Sequence, residues 1–107
     1  MTIANLSKLC SLLRSAFPAI DSGKDLALVL EIGRAQEAGE ELTQKQLCLC
    51  GIASTATIRR RLCKLVAAKI LRRSNNRHDG RSVTFGLTDA ASRQMKLVSR
   101  TARQMEW

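Results

Sequence analysis

Aromatic residues are nearly missing from this chain: Phe17, Phe85 and Trp107 are the whole set, and there is no tyrosine. Any core must therefore be assembled from Leu, Ile, Val, Ala and Met. Histidine occurs once, as His78. No nucleophile elbow, glycine-rich phosphate loop or paired acidic motif accompanies it, so the machinery of an enzyme is missing and no cofactor is expected. Long apolar runs are missing as well. The longest, Leu26-Ala27-Leu28-Val29-Leu30, is far too short to cross a bilayer. Lys8 and Arg14 interrupt the first apolar stretch, which excludes a signal-peptide pattern and makes the cytoplasm the expected location, with no membrane partner. Low-complexity linkers and internal repeats are absent too. With 107 residues, 45% of them hydrophobic, a single folded domain spanning 1–107 is expected.

Acidic residues are scarce in one part only. Residues 1–42 hold four basic and six acidic residues, a net −2, whereas residues 43–107 hold fourteen and three, a net +11. Such asymmetry calls for a polyanionic partner on the second part.

Helical spacing of Ile3, Leu6, Leu9, Cys10, Leu13 and Phe17 predicts a first helix that Pro18 stops. Ser22 with Asp25 resembles a capping box opening a second helix, expected to bury Leu26, Val29, Leu30 and Gly33 and to end at Gly39. Thr43 with Gln46 is a full capping box, so a third helix is expected from about 43 to 50, with Gly51 as the turn. Ser54 caps a fourth helix with the apolar stripe Ile58, Leu62, Leu65 and Val66. After Ile70 the period changes to two. Val83, Phe85 and Leu87 are expected on one face of a strand, with Ser82 and Thr84 on the other. Turn formers fill residues 75–80, and Thr88 caps a last helix. In it Ala91, Met95, Val98, Ala102 and Met105 form a narrow seam suited to packing against another helix.

This order of elements is that of a device for holding duplex DNA. With Ile58, Leu62 and Leu65 turned to the core, Arg60 points almost directly away, and Lys64, Ala56 and Thr57 fall near it. Arginine suits that place because its fork can bond guanine O6 and N7 together. Thr55, in the first turn, is expected at a groove edge or phosphate; Arg59 and Arg61 flank the stripe and are expected at backbone phosphates. Thr43, Gln44 and Ser54, at the two helix starts, complete that contact set. The basic loop beyond the first strand would reach the neighbouring minor groove, with Arg81 as the inserted cation, Arg77 and His78 beside it, and Asp79 either orienting Arg81 or Arg77 by an ion pair or capping the turn. Arg73 is expected to hold phosphate.

From Leu42 to Thr88 the chain resembles the MarR family of transcription regulators. The resemblance rests on Leu42-Thr43, the capped helix at Ser54-Thr55, the spacing of Leu62 and Leu65, the basic pair Arg72-Arg73, the wing signature Asp79-x-Arg81 and the closing Leu87-Thr88. It implies a mostly α fold with a small β-hairpin wing: a winged helix-turn-helix over 42–88, flanked by dimerisation helices at 1–17 and 88–107. It further implies a homodimer bound to a pseudo-palindromic operator, acting as a transcription regulator of the repressor type. Leu6, Leu9, Leu13, Met95, Val98, Ala102 and Met105 are the expected dimerisation residues. The sequence departs from the family where Lys69 replaces the usual glycine after the recognition helix and Ala91 replaces a frequent glycine. It is also short for the family, so abbreviated dimerisation helices are expected. Two other functions fit the same elements: a replication or partition initiator of a mobile element, and a winged-helix protein-interaction module. Nothing in the sequence identifies a small-molecule effector.

Cys10, Cys48, Cys50 and Cys63 have no spacing that suits a metal site, and disulfides do not suit the expected location. They are expected to act as small apolar core residues. Leu9-Cys10-Ser11-Leu12-Leu13 faintly resembles the sensing segment of peroxide-responsive MarR relatives, which implies tyrosines that hold the reactive thiol. This chain has none, so Cys10 is expected in the core and not as an oxidant sensor.

Overall fold

The computed structural model describes residues 2–75 and 83–105. Helix α1 (Ile3–Ala16) begins behind Thr2 and ends where Pro18 forces Phe17 out of helical geometry, at φ −131° and ψ 77°. Helices α2 (Gly23–Glu37), α3 (Gln44–Leu49), α4 (Thr55–Ala67) and α5 (Asp89–Arg103) follow the same local rule at their starts. Ser22, Thr43, Ser54 and Thr88 each accept the backbone N–H three residues on, which satisfies a donor that the helix itself leaves free.

Two of the helix ends are built alike. Past α2, the N–H of Gly39 bonds the Gln36 carbonyl and that of Glu40 bonds the Ala35 carbonyl. Past α4, Lys69 bonds Val66 and Ile70 bonds Leu65 in the same pattern. The pattern needs a left-handed residue, supplied by Gly39 at φ 76° and by Lys69 at φ 63°. Lysine holds that conformation at a cost of roughly 1 kcal/mol, so Lys69 stands where backbone geometry itself calls for glycine. The Thr88 hydroxyl donates to the Lys69 carbonyl at 2.8 Å and ties this turn to the start of α5.

The sheet has three antiparallel strands in the order β1-β3-β2: β1 (Leu42–Thr43), β2 (Leu71–Asn75) and β3 (Val83–Leu87). Leu42 lies opposite Phe85 and Thr43 opposite Thr84, while Leu71 pairs with Leu87 and Asn75 with Val83. The sequence predicts two strands, with Thr43 only as the cap of α3 and no strand at Leu42–Thr43. The added strand makes β3 central. It also changes the reading of Thr84, which was expected on the outer face: Thr84 is buried, bonded to the Glu41 carboxylate and to Ser74.

Ile58, Leu62 and Leu65 of α4 pack with Leu47, Leu42, Leu71, Phe85 and Leu87, and α2 closes this core with Leu28, Val29, Ile32 and Ala35. The face of α2 differs from expectation. Val29 is buried, but Leu30 is exposed and Leu26 and Gly33 are only half-buried. The cysteines differ in part: Cys10, Cys50 and Cys63 are exposed and so are not core residues, whereas Cys48 is half-buried and packs against the core.

The seam of α5 meets α1 of the same chain. Val98 and Leu13 are buried by this packing, Leu9, Met95, Ala102 and Met105 are half-buried, and Leu6 is exposed. No helix among the described residues is long and apolar enough to cross a membrane.

Candidate nucleic-acid interface

Helices α3 and α4 are joined by a turn that Gly51 makes feasible at φ 76°, a backbone conformation that costs other residues free energy. Both helices start with rigid caps. Thr43 N–H donates to Gln46 Oε1 at 2.8 Å while Gln46 N–H donates to Thr43 Oγ1 at 3.1 Å. Ser54 Oγ accepts the Thr57 N–H at 3.3 Å and bonds Thr57 Oγ1 at 3.0 Å. Ile52 and Ala53 pack against the core beneath the turn. The start of α4 is therefore fixed by local hydrogen bonds above and apolar contact below.

With Ile58, Leu62 and Leu65 inside, α4 presents Thr55, Ala56, Arg59, Arg60, Cys63 and Ala67 to solvent. Arg60 stands opposite the buried stripe, as the helical period requires. Small side chains at Ala56 and Ala67 leave the helix surface low around it. Cys63 belongs to this outer face. The helical period alone places it there, and the expectation of buried cysteines hid it.

Two cations of α4 are turned elsewhere. Arg61 Nη1 lies 3.2 Å from Asp25 Oδ1, and Lys64 Nζ lies 2.8 Å from Asp25 Oδ2. Lys64 also bonds Asp21. Lys64 was expected near Arg60 and Arg61 at a phosphate; both side chains are instead bonded to the N-terminal end of α2. The reason is Asp25. Its side chain is 0% exposed, and a buried carboxylate requires cationic partners. The hydrogen bond from Lys64 holds the Asp21 carboxyl below the usual carboxylate range. In turn Asp21, then Asp25, raises Lys64 above the usual lysine range. Asp21 and Lys64 are thus both charged across the neutral range.

On the sheet, Arg73 is exposed opposite Phe85, whereas Arg72 Nε donates to the Leu87 carbonyl at 3.3 Å. Arg77, His78, Asp79 and Arg81, expected at the wing, lie outside the described residues. Away from this face, a groove of about 650 Å³ opens between α2 and α5, lined in part by Val29, Gly33, Arg34, Met95, Lys96 and Arg100. It shares no residue with the α4 face.

No protein-family model matches the chain, and no curated protein does. Solved structures match by fold. The S. aureus MepR–DNA complex superposes with a TM-score of 0.72 at 16% sequence identity, over 92% of this chain and 79% of that one. Wild-type MarR from E. coli in its apo form gives 0.63 at 18% identity, over 97% of this chain and 78% of that one. A double mutant of Lactococcus lactis ZitR gives 0.61 at 20% identity over 78% of this chain, which spans only 53% of the ZitR chain. The capped helix pair, the three-stranded sheet and the flanking helices therefore make up a winged helix-turn-helix fold, shared with these MarR, MepR and ZitR structures.

Proposed function

We propose that the protein is a MarR-type transcription regulator that binds duplex DNA as a homodimer and acts as a repressor. The observation that carries this reading is the outer face of α4, where Arg59, Arg60, Thr55 and Ala56 stand exposed on a helix whose start is capped on both sides of the turn. Such a helix fits the major groove, and its caps fix its register against the duplex. A structural neighbour being a MepR–DNA complex supports the same reading. Thr43, Gln44, Ser54 and Thr57 would hold sugar and phosphate at the helix starts, and Arg73 would hold phosphate beside them. The minor-groove part rests on the sequence of the wing, Arg77, His78, Asp79 and Arg81.

Binding should be strongly salt-dependent. Each phosphate neutralised releases counterions, so a log–log plot of affinity against salt should fall by roughly 0.9 per contact. Titration of duplex recovered by selection from fragmented genomic DNA measures this slope. A flat response would exclude a nucleic-acid partner.

The homodimer is supported by apolar surface left open at the flanking helices: Ile3 is 86% exposed and Leu6 45% on α1, and Leu97 is 52% exposed on α5. Sedimentation at micromolar concentration should give twice the chain mass. Ile3→Glu with Leu6→Glu should return a folded monomer, because neither side chain belongs to the core of its own chain. A wild-type monomer would remove the dimer.

A further inference from the structure

Helix α4 carries four cations, Arg59, Arg60, Arg61 and Lys64, yet only two face outward without a bonded carboxylate among the described residues. We propose that Asp21 and Asp25 set the specificity of the DNA face by withholding Lys64 and Arg61 from the phosphate backbone. This inference rests on the DNA-binding reading above and deepens it.

The arrangement is built rather than incidental. Asp25 sits in the first turn of α2, where the helix dipole favours a carboxylate, and its N–H is bonded to Ser22 Oγ at 3.2 Å. Each of its two carboxylate oxygens takes one cation of α4, at 3.2 Å from Arg61 and 2.8 Å from Lys64. Asp21 is 65% exposed and adds no apolar burial, yet it gives Lys64 a second anionic partner. The four groups together are electrically neutral, so α4 offers the duplex two net charges instead of four.

The consequence follows from how the two kinds of contact differ. Phosphate contacts add affinity to every sequence, while base-edge contacts discriminate between sequences. On a helix lying in the major groove, the flanks face the two phosphate backbones. Lys64 lies about 40° and Arg61 about 100° around the helix from Arg60, at the flank nearest one backbone. Free, they would raise affinity for any duplex. Bonded to α2, they leave Arg60 to carry a larger share of the binding.

The experiment measures affinity for a genomically selected duplex and for a random-sequence duplex between about 50 and 200 mM salt, using the full chain. Asp21→Asn with Asp25→Asn should raise affinity for the random duplex several-fold, shrink the preference for the selected one, and steepen the salt slope by roughly one to two. Each released contact should cost about three- to fourfold more affinity across that salt range. Adding Lys64→Gln and Arg61→Gln to the double variant should abolish the gain. Glu37→Gln, which changes the net charge of α2 away from this cluster, is the control. Lys64→Gln alone should leave the wild-type slope unchanged, and Asp21→Asn alone should steepen it slightly; circular dichroism checks that each variant is folded. These two single variants decide the matter if Asp25→Asn does not fold. A shallower slope for Lys64→Gln, or a double variant that gains no more than Glu37→Gln, overturns the inference. Wild-type protein that binds no duplex at low salt overturns the DNA reading itself, and this inference with it.

Discussion

Leu62→Ala should lower the melting temperature by about 10 °C or more. Leu62 is 1% exposed at the centre of α4, among Ile58, Leu65 and the strands of the sheet. Removing a buried leucine side chain loses its transfer free energy and leaves a cavity, together about 2–5 kcal/mol. A small domain has only about 5–15 kcal/mol of stability in all, and each kcal/mol is worth roughly 4–8 °C in a chain near this size. Thermal unfolding followed by circular dichroism checks it. An unchanged melting temperature would mean that α4 is not seated as described. The same helix makes a contrast inside one experiment: Arg60→Ala, on the opposite face, should leave the melting temperature nearly unchanged, because an exposed side chain with no bonded partner stabilises little.

How far such contrasts were legible in the sequence depends on range. Caps are local, since a Ser or Thr and the N–H it accepts lie three residues apart, so Ser22, Thr43, Ser54 and Thr88 could be placed from the sequence alone. The outward aim of Arg60 is local too, because the period of α4 is fixed by Ile58, Leu62 and Leu65. The left-handed residue after α4 was legible through the departure at Lys69. Strand β1 was not, because two residues are too few to show an alternating pattern; it exists only through pairing with Phe85 and Thr84. The rotation of α2 was not legible either. Leu26, Ala27, Leu28, Val29 and Leu30 are all apolar, so the run cannot choose its own buried face. That choice is made at a distance, by Asp25 bonding Arg61 and Lys64 and by Gln36 Oε1 accepting the Leu87 N–H at 2.9 Å. Sequence carries no signal for ion pairs separated by tens of residues, so Lys64 was expected beside Arg60, and Arg61 at a phosphate, whereas both side chains are bonded to Asp25, and Lys64 to Asp21 as well. The cysteines failed for a different reason. Cysteine is often buried, but Cys63 takes its place from the period of α4 and not from its own hydrophobicity.

Arg60→Ala should separate sequence reading from general grip. Arg60 is exposed, opposite the buried stripe, and free of carboxylate partners among the described residues. Its guanidinium can bond guanine O6 and N7 together, a geometry that no other base pair offers in the major groove. Its loss should cost about 1–3 kcal/mol on the specific site and relax preference at one base pair in each half-site. Arg73→Ala provides the comparison. Exposed on β2 and expected at a phosphate, it should weaken all duplexes about equally and make the salt slope shallower by roughly one. Competition binding of each variant against a library of sites distinguishes the two effects. The specific loss should appear as a change in base preference for Arg60→Ala and as a uniform drop for Arg73→Ala. If Arg60→Ala lowers affinity for selected and random DNA by the same factor, α4 is not reading bases. Binding would then come from backbone charge and duplex shape, and the protein would act as a nonspecific or architectural binder.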